Sequence, residues 1–277
     1  MIVFPNAKIN IGLDILRRRS DGYHDISTVM YPIGWRDILE IVPSESGMTT
    51  LTVTGNHVDC PPEKNLVMKA VRLFEDLTEI PASDIYLHKV IPDGAGMGGG
   101  SADAAFTLMA LNEMYGLGIS LEDLVDLASK LGADCPFFIY NKPMLAEGVG
   151  EKLSKADIDL SGCGVLVIKP DFSISTGEAY GGVVPKEASR HLSDRLSDDI
   201  GGWRTSVKNA FVEHLAKKYP VINEITVFLY ENGAVYASMT GSGSAVYGIF
   251  ESSDMADAVK RECEEIYKGW HFYAGKL

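Results

Sequence analysis

The segment IPDGAGMGGGSADAA, residues 91–105, constrains this chain more than any other. Five glycines there, Gly94, Gly96, Gly98, Gly99 and Gly100, separate an alternating apolar stretch from an alanine-rich one. Glycine admits backbone conformations that side chains forbid, so clustered glycines let several N–H groups converge on one point. Residues 101–115 are rich in Ala, Leu and Met and lack Gly and Pro, which is helix composition. The open N–H groups and partial positive charge of a helix start favour an anion, and phosphate is the natural guest. A simple turn needs only one or two glycines. The spacing also satisfies G-x-G-x-x-G through Gly94, Gly96 and Gly99, but a dinucleotide fold requires an acidic residue at the tip of a second strand. Here the residue at that distance, Glu113, falls inside the predicted helix. No Lys followed by Ser or Thr closes the loop, so the Walker pattern fails as well. A nucleotide loop of a third kind remains.

The flanking pattern supplies the setting. Residues 7–15, 28–33 and 38–42 read as strands, 65–77 as a helix and 85–91 as the strand that leads into the loop. After the loop helix, Ser120 and Asp123 have capping-box spacing, and Leu121, Leu124, Val125, Ala128 and Leu131 recur with helical period, with Gly132 expected as a left-handed stop. Pro136 is expected to push Cys135 out of the helical region, which makes 133–136 a connection that holds Asp134 and 137–140 an apolar strand. Beyond residue 150 the expected order is strand 164–169, helix 207–218, strands 235–239 and 245–250, helix 255–267 and strand 271–274. That is β-α-β-β-α-β, the ferredoxin-like order, with a polar, solvated insertion at 184–205 before its first helix. The expectation is an α+β chain of two domains, 1–150 and 151–277.

With 277 residues, 46% of them hydrophobic, the chain can bury an ordinary core. A net charge of −13 argues against affinity for a nucleic-acid backbone or an anionic membrane, both of which require clustered Lys and Arg. An acidic protein that binds a polyanion must concentrate positive charge at one site, which gives Lys8 and Lys89 weight through their positions near glycine loops. The four cysteines form no metal-ligand spacing, no run approaches the roughly 18 apolar residues of a membrane span, and the first residues lack a signal-peptide pattern. A reduced, cytoplasmic setting is expected.

Two further segments invite attention. In MTGSGSAVYGIF, Thr240 to Ser244 form a second glycine loop, which alone reads as a hairpin turn. In PNAKINIGLDI, Lys8 and Asn10 lie two apart and share a strand face, which by pattern alone reads as an exposed polar edge. Taken together and in this order, with DGYH after the first, these segments resemble the GHMP family of small-molecule kinases, across nearly the whole chain. PNAKINIGLDILRRRSDGYHDISTVMY, the triple glycine before Ser101, LGADCPFF and STGEAY look most like the members whose acceptor is a polyol linked to cytidine diphosphate.

The resemblance implies a two-lobed α+β fold, a ribosomal-protein-S5-like N-terminal lobe and a ferredoxin-like C-terminal lobe with the active site between them. It implies ATP with Mg²⁺, and a monomer or homodimer without nucleic-acid or membrane partners. It implies that Asp134 takes the proton of the attacking hydroxyl and that Lys8 steadies the transferring phosphoryl group, although alone Asp134 reads as a turn or cap residue. ATP would lie along Asn65, Lys89, Pro92, Gly94, Gly96, Gly98, Gly99, Gly100 and Ser101. Tyr23 and His24, which alone are residues leaving a turn, would contact the cytosine with Tyr180 stacked on a ring face, and Asn10, Thr176, Gly241 and Ser242 would complete the acceptor lining. Departures are Met97 where the family loop carries Leu, and KNAFVEHL, where Ala210 replaces an acidic residue, so that segment receives no catalytic role. No carboxylate pair suggests a metal cage; Ser101 is a candidate contact and the ion would be held largely by phosphates and water. A sister kinase for homoserine or mevalonate would change the DGYH and Tyr180 pocket, and an inactive sensor would have lost Lys8 or Asp134.

Overall fold

The structure, a computed structural model, describes residues 1–58 and 60–277. Contacts divide it into two compact units, one made of Met1–Ala7, Trp35–Asp93 and Gly98–Lys142, the other of Lys8–Gly34, Gly94–Met97 and Pro143–Leu277.

In the first unit a four-stranded sheet runs Ile2–Val3, Ile38–Pro43, Ser83–Lys89, Thr50–Gly55, with only the last pair parallel. Register pairs Leu39 with Leu87 and Ile41 with Ile85, and all four are buried while Ile38 and Tyr86, on the opposite face, are exposed. That period-two alternation buries one face of the sheet. Helix Leu66–Glu75 packs on helix Gly99–Met114, which offers the small buried residues Ala102, Ala104 and Ala105. Ser120 caps helix Leu121–Ser129 by accepting from the Asp123 amide, as its spacing predicts.

Two expectations in this unit fail. Helix Leu121–Ser129 ends through Lys130 in the right-handed region, so no left-handed Gly132 stops it. Residues 135–140 form helix Cys135–Tyr140, not a strand, and Asp134 occupies its N-cap position. Proline is tolerated in the first helical turn, where its N–H has no partner to lose, so Pro136 starts this helix instead of excluding it.

The same unit buries an ionic cluster. The Lys89 ammonium pairs with Asp37 and, at 2.7 Å, with Asp103, and the three side chains are 5%, 0% and 3% exposed. Asp37 also accepts from the Val90 and Ile91 amides at 2.6 and 2.8 Å. The cluster therefore joins the end of strand Ser83–Lys89 to the first turns of the loop helix. One cation faces two carboxylates, and one oxygen of Asp103 has no hydrogen-bond partner. Burial pushes the Asp103 carboxyl up to about 7, Lys89 pulls it back and Asp37 adds to the rise.

In the second unit, strands Asn6–Arg18, His24–Arg36, Met144–Gly148 and Lys152–Lys155 form one sheet in that order. A second, antiparallel sheet runs Tyr236–Met239, Val246–Phe250, Gly164–Lys169, His271–Lys276. Helices Val221–Glu231 and Ser253–Ile266 pack on it through Ile222, Ile225 and Leu229 and through Ala256, Val259 and Cys263. This is the ferredoxin-like arrangement.

The helix expected over 207–218 is shorter, Val212–Lys218, and the main packing helix, Val221–Glu231, begins after Pro220. Residues 207–209 leave helical geometry at a β-bridge between Leu13 and Asn209: the Leu13 amide donates to Lys208 O and the Ala210 amide to Leu13 O, both at 2.8 Å. The insertion at 184–205 is only partly solvated. Its helices Leu192–Leu196 and Ile200–Ser206 bury Leu192, Leu196 and Trp203, and Arg195 joins Ser206 O to the Asp14 carboxylate. Leu192 sits over Gly12, where a Cβ would lie 2.7 Å from Leu192 Cδ1 and 2.9 Å from Val207 Cγ1 at a left-handed φ of 66°.

Two outcomes are expected. Gly12→Ala combines backbone strain with overpacking and should lower stability by about 1–3 kcal/mol in chemical denaturation; unchanged stability would mean that the insertion does not seat on this strand. A raised folded-state pKa stabilises the native state below the ordinary value of 3.8, and that contribution is lost as pH rises through about 7. Asp103→Asn abolishes this titration, so wild-type stability relative to the variant should fall between pH 4 and 7 and then level off. A difference that stays flat across that range would contradict a buried Asp103 whose burial outweighs its pairing with Lys89.

Candidate active site

The glycine loop leaves strand Ser83–Lys89 through buried Pro92 and carries left-handed φ values at Gly94, Gly96 and Gly98, 60°, 73° and 71°. Gly98 is the N-cap of the 16-residue helix Gly99–Met114, and no side chain caps that end. The Ala102 amide is the first to find a helical partner, at Gly98 O, which leaves the Gly99, Gly100 and Ser101 amides at the helix mouth. A glycine loop that opens into an uncapped helix start is the local geometry that the composition predicts.

Within the second unit the loop is pressed against the other glycine loop. Thr240 Oγ donates to Gly96 O at 3.1 Å, and the Ser244 and Ala245 amides approach Gly94 O and Ala95 O at 3.4 and 3.3 Å. A Cβ on Gly96 would strike Thr240 O, and one on Gly241 would lie 2.8 Å from Gly96 O. The glycines therefore serve close approach as well as turning. Ser242 beside them is half-buried. Lys169, itself buried, donates to Pro170 O and Phe172 O at 2.8 and 2.7 Å, and Ser244 Oγ also donates to Phe172 O, which fixes the chain beside this crossing.

Lys8 and Asn10 are each 3% exposed, so the exposed-edge reading of this strand fails. The Lys8 ammonium donates to Asn10 Oδ1 and, at 3.1 Å, to Gly96 O, while its amide donates to Met97 O at 3.0 Å. Asn10 is oriented from its other end: Nδ2 donates to Thr28 Oγ at 3.0 Å, and Thr28 uses its proton on Gly12 O at 2.6 Å. Its carboxamide oxygen must then face Lys8. The Asn10 carbonyl accepts from the Tyr247 hydroxyl at 2.9 Å, and burial keeps that phenol well above its ordinary pKa, hence a neutral donor.

In the first unit, the Ser101 hydroxyl at the loop helix hydrogen-bonds the Cys135 thiol. Burial first, and then the nearby Asp134 charge, push that thiol up to about 11, with Ser101 opposing them. Ser101, Cys135 and the half-buried Asp134 thus form one neighbourhood at the helix mouth. Asn65 caps helix Leu66–Glu75 through the Val67 amide at 2.9 Å, and Lys89 is engaged by Asp37 and Asp103. The side chains of these two expected ATP residues hold the scaffold.

Of the residues expected to contact the acceptor, His24 and Tyr180 stack at 4.9 Å and 24°, and Phe211 meets the Tyr180 ring edge-on at 4.9 Å. Tyr23 is 65% exposed. Thr176 is exposed at the start of the short helix Thr176–Gly181, whose cap is Ser175. The sequence reading assigned no role to Thr240, Asn209, Asp37 or Asp103. A Thr directly before Gly-Ser-Gly was the one available signal; the other three depend on contacts far apart in sequence. No group of three or more His, Cys, Asp or Glu side chains that could hold a metal occurs among the described residues, and none of their helices is long and apolar enough to cross a membrane.

The chain matches the family descriptions "GHMP kinases N terminal domain" over residues 65–142 and "GHMP kinases C terminal" over 198–269. It is 47% identical, over 91% of its length and 92% of the relative's, to the 4-diphosphocytidyl-2-C-methyl-D-erythritol kinase of Parabacteroides distasonis. It is 45% identical to the enzyme of that name from Bacteroides fragilis, over 92% and 93% of the two chains. A crystal structure of 4-(cytidine 5'-diphospho)-2C-methyl-D-erythritol kinase superposes with a TM-score of 0.83 at 31% identity, covering 100% of this chain and 99% of that one. Sequence, fold and loop geometry agree, and the chain belongs to the GHMP kinase family.

Proposed function

We propose that this protein transfers the γ-phosphoryl group of Mg·ATP to the 2-hydroxyl of 4-diphosphocytidyl-2-C-methyl-D-erythritol, releasing ADP and the 2-phosphate, in the non-mevalonate route to isoprenoid precursors. The observation that carries this reading is the buried Lys8 held against a phosphate-type glycine loop, on a chain 47% identical to a kinase of that name. Phosphoryl transfer asks little covalent chemistry of a protein and depends on positioning and charge stabilisation. Asp134 accepts the proton of the acceptor hydroxyl as its oxygen bonds to phosphorus, and the bond from phosphorus to the bridging oxygen of ADP breaks. Lys8 offsets negative charge on the transferring group. The amides at the mouth of helix Gly99–Met114 bind phosphate oxygens. Mg²⁺ enters with the nucleotide as part of the substrate, coordinated by phosphate oxygens and water. Tyr23, His24 and Tyr180 form the cytosine platform, with the base stacking on an aromatic face.

Purified protein should release ADP from Mg·ATP with the cytidyl acceptor and neither with homoserine nor with mevalonate, and Asp134→Asn should cut kcat by about 10²–10⁴-fold. Turnover with another of these alcohols would displace the acceptor assignment, and an undiminished variant would remove Asp134 as base. Tyr180→Ala should raise the KM for the acceptor about tenfold while leaving that for ATP in place; equal changes in both constants would contradict a base-stacking role.

A further inference from the structure

The segment KNAFVEHL, left without a role by its Ala210, holds a buried carboxamide that the phosphoryl-transfer chemistry has not used. Asn209 donates through Nδ2 to Met239 O and Gly241 O, both at 2.9 Å, and accepts at Oδ1 from the Phe211 amide at 3.0 Å. Its side chain thus grips the second glycine loop on both sides of Thr240. Its own backbone is fixed by the bridge to Leu13, on the strand that carries Lys8 and Asn10.

Thr240 lies fully buried between these two grips. Its hydroxyl accepts from the Asn10 amide at 3.0 Å and donates to Gly96 O at 3.1 Å. The Gly96 carbonyl and the Asn10 carboxamide both accept from the Lys8 ammonium. A continuous run of buried hydrogen bonds therefore leads from Asn209 through the loop and Thr240 to Lys8.

We infer that Asn209 is a positioning residue for phosphoryl transfer, one that acts through Thr240 to set the Lys8 ammonium against the phosphate loop. The inference rests on the kinase reading above. It accounts for an Asn in a segment whose neighbour carries no acid: the work is done by an amide that can donate twice and accept once, and an Asp of the same shape cannot donate to two carbonyls. A displacement near 1 Å at a reacting group can cost about 10²-fold in rate, so loss of this grip should register in kcat more than in substrate binding.

The test is a kinetic cycle with Mg·ATP and the cytidyl acceptor on Asn209→Asp, Thr240→Val and the double variant, each checked for folding by circular dichroism and thermal melting. Each single variant should lose about 10- to 100-fold in kcat with KM for ATP within about threefold of wild type. The double variant should lose no more than the worse single, because both interrupt one connection. Thr240→Ser, which keeps the hydroxyl, should recover most of the rate lost in Thr240→Val. Independent, multiplying losses, or folded variants with wild-type kcat, would overturn the inference. Should Asn209→Asp fail to fold, the comparison of Thr240→Val with Thr240→Ser still decides it. Absence of turnover by the wild-type protein would overturn the kinase reading and this inference with it, whereas wild-type turnover with insensitive variants would overturn this inference alone.

Discussion

Burying an ammonium group is costly unless its hydrogen bonds are met, and Lys8 sits at 3% exposure with its charge held by the Asn10 carboxamide and the Gly96 carbonyl. Much of the second unit's polar architecture follows from that requirement. Asn10 must present oxygen, so Thr28 takes its nitrogen; Gly96 must present its carbonyl, so its loop lies against Thr240; Thr240 must stay in place, so Asn209 holds both flanks. In a low-dielectric interior such a run is stable when complete and expensive when broken. Glycine at 96 and 241 is the steric condition for the same crossing, since side chains there would drive the two loops apart.

The first unit solves a related problem differently. Lys89, also buried, is paired with Asp37 and Asp103 and ties the strand before the glycine loop to the helix after it. In a chain of net charge −13, the interior cations Lys8, Lys89 and Lys169 are each committed to named oxygens, and each lies beside or beneath a glycine-rich turn. An acidic protein can bind a polyanion on these terms, because the potential at a site is set by a few desolvated charges and by backbone amides more than by the sum over the surface.

Features governed by local chemistry were legible in the sequence. The glycine loop, the helix that opens at its end and the Ser120 cap follow from the conformational needs of a few consecutive residues. The ferredoxin-like order was readable from hydrophobic period, although its first helix was placed too early: Val207 to Asn209 look helical alone but leave the helix at a bridge to Leu13, a partner distant in sequence. Pro136 was misread because proline both ends and begins helices. Least legible was burial. Nothing in the alternation around Lys8 and Asn10 announces that a second glycine loop covers them, and Tyr180 finds His24 only through the fold. The roles of those residues came into view through resemblance, and the roles of Asn209, Asp37 and Asp103 only through the structure.

The central claim is that the backbone between Gly96 and Ser101 is the cradle of the triphosphate. A crystal structure with Mg²⁺ and a non-hydrolysable ATP analogue tests it most directly. The account predicts β- and γ-phosphate oxygens within hydrogen-bond reach of the Gly99, Gly100 and Ser101 amides, with the Lys8 ammonium facing the γ-phosphate. A nucleotide seated elsewhere, with this loop empty, would contradict it.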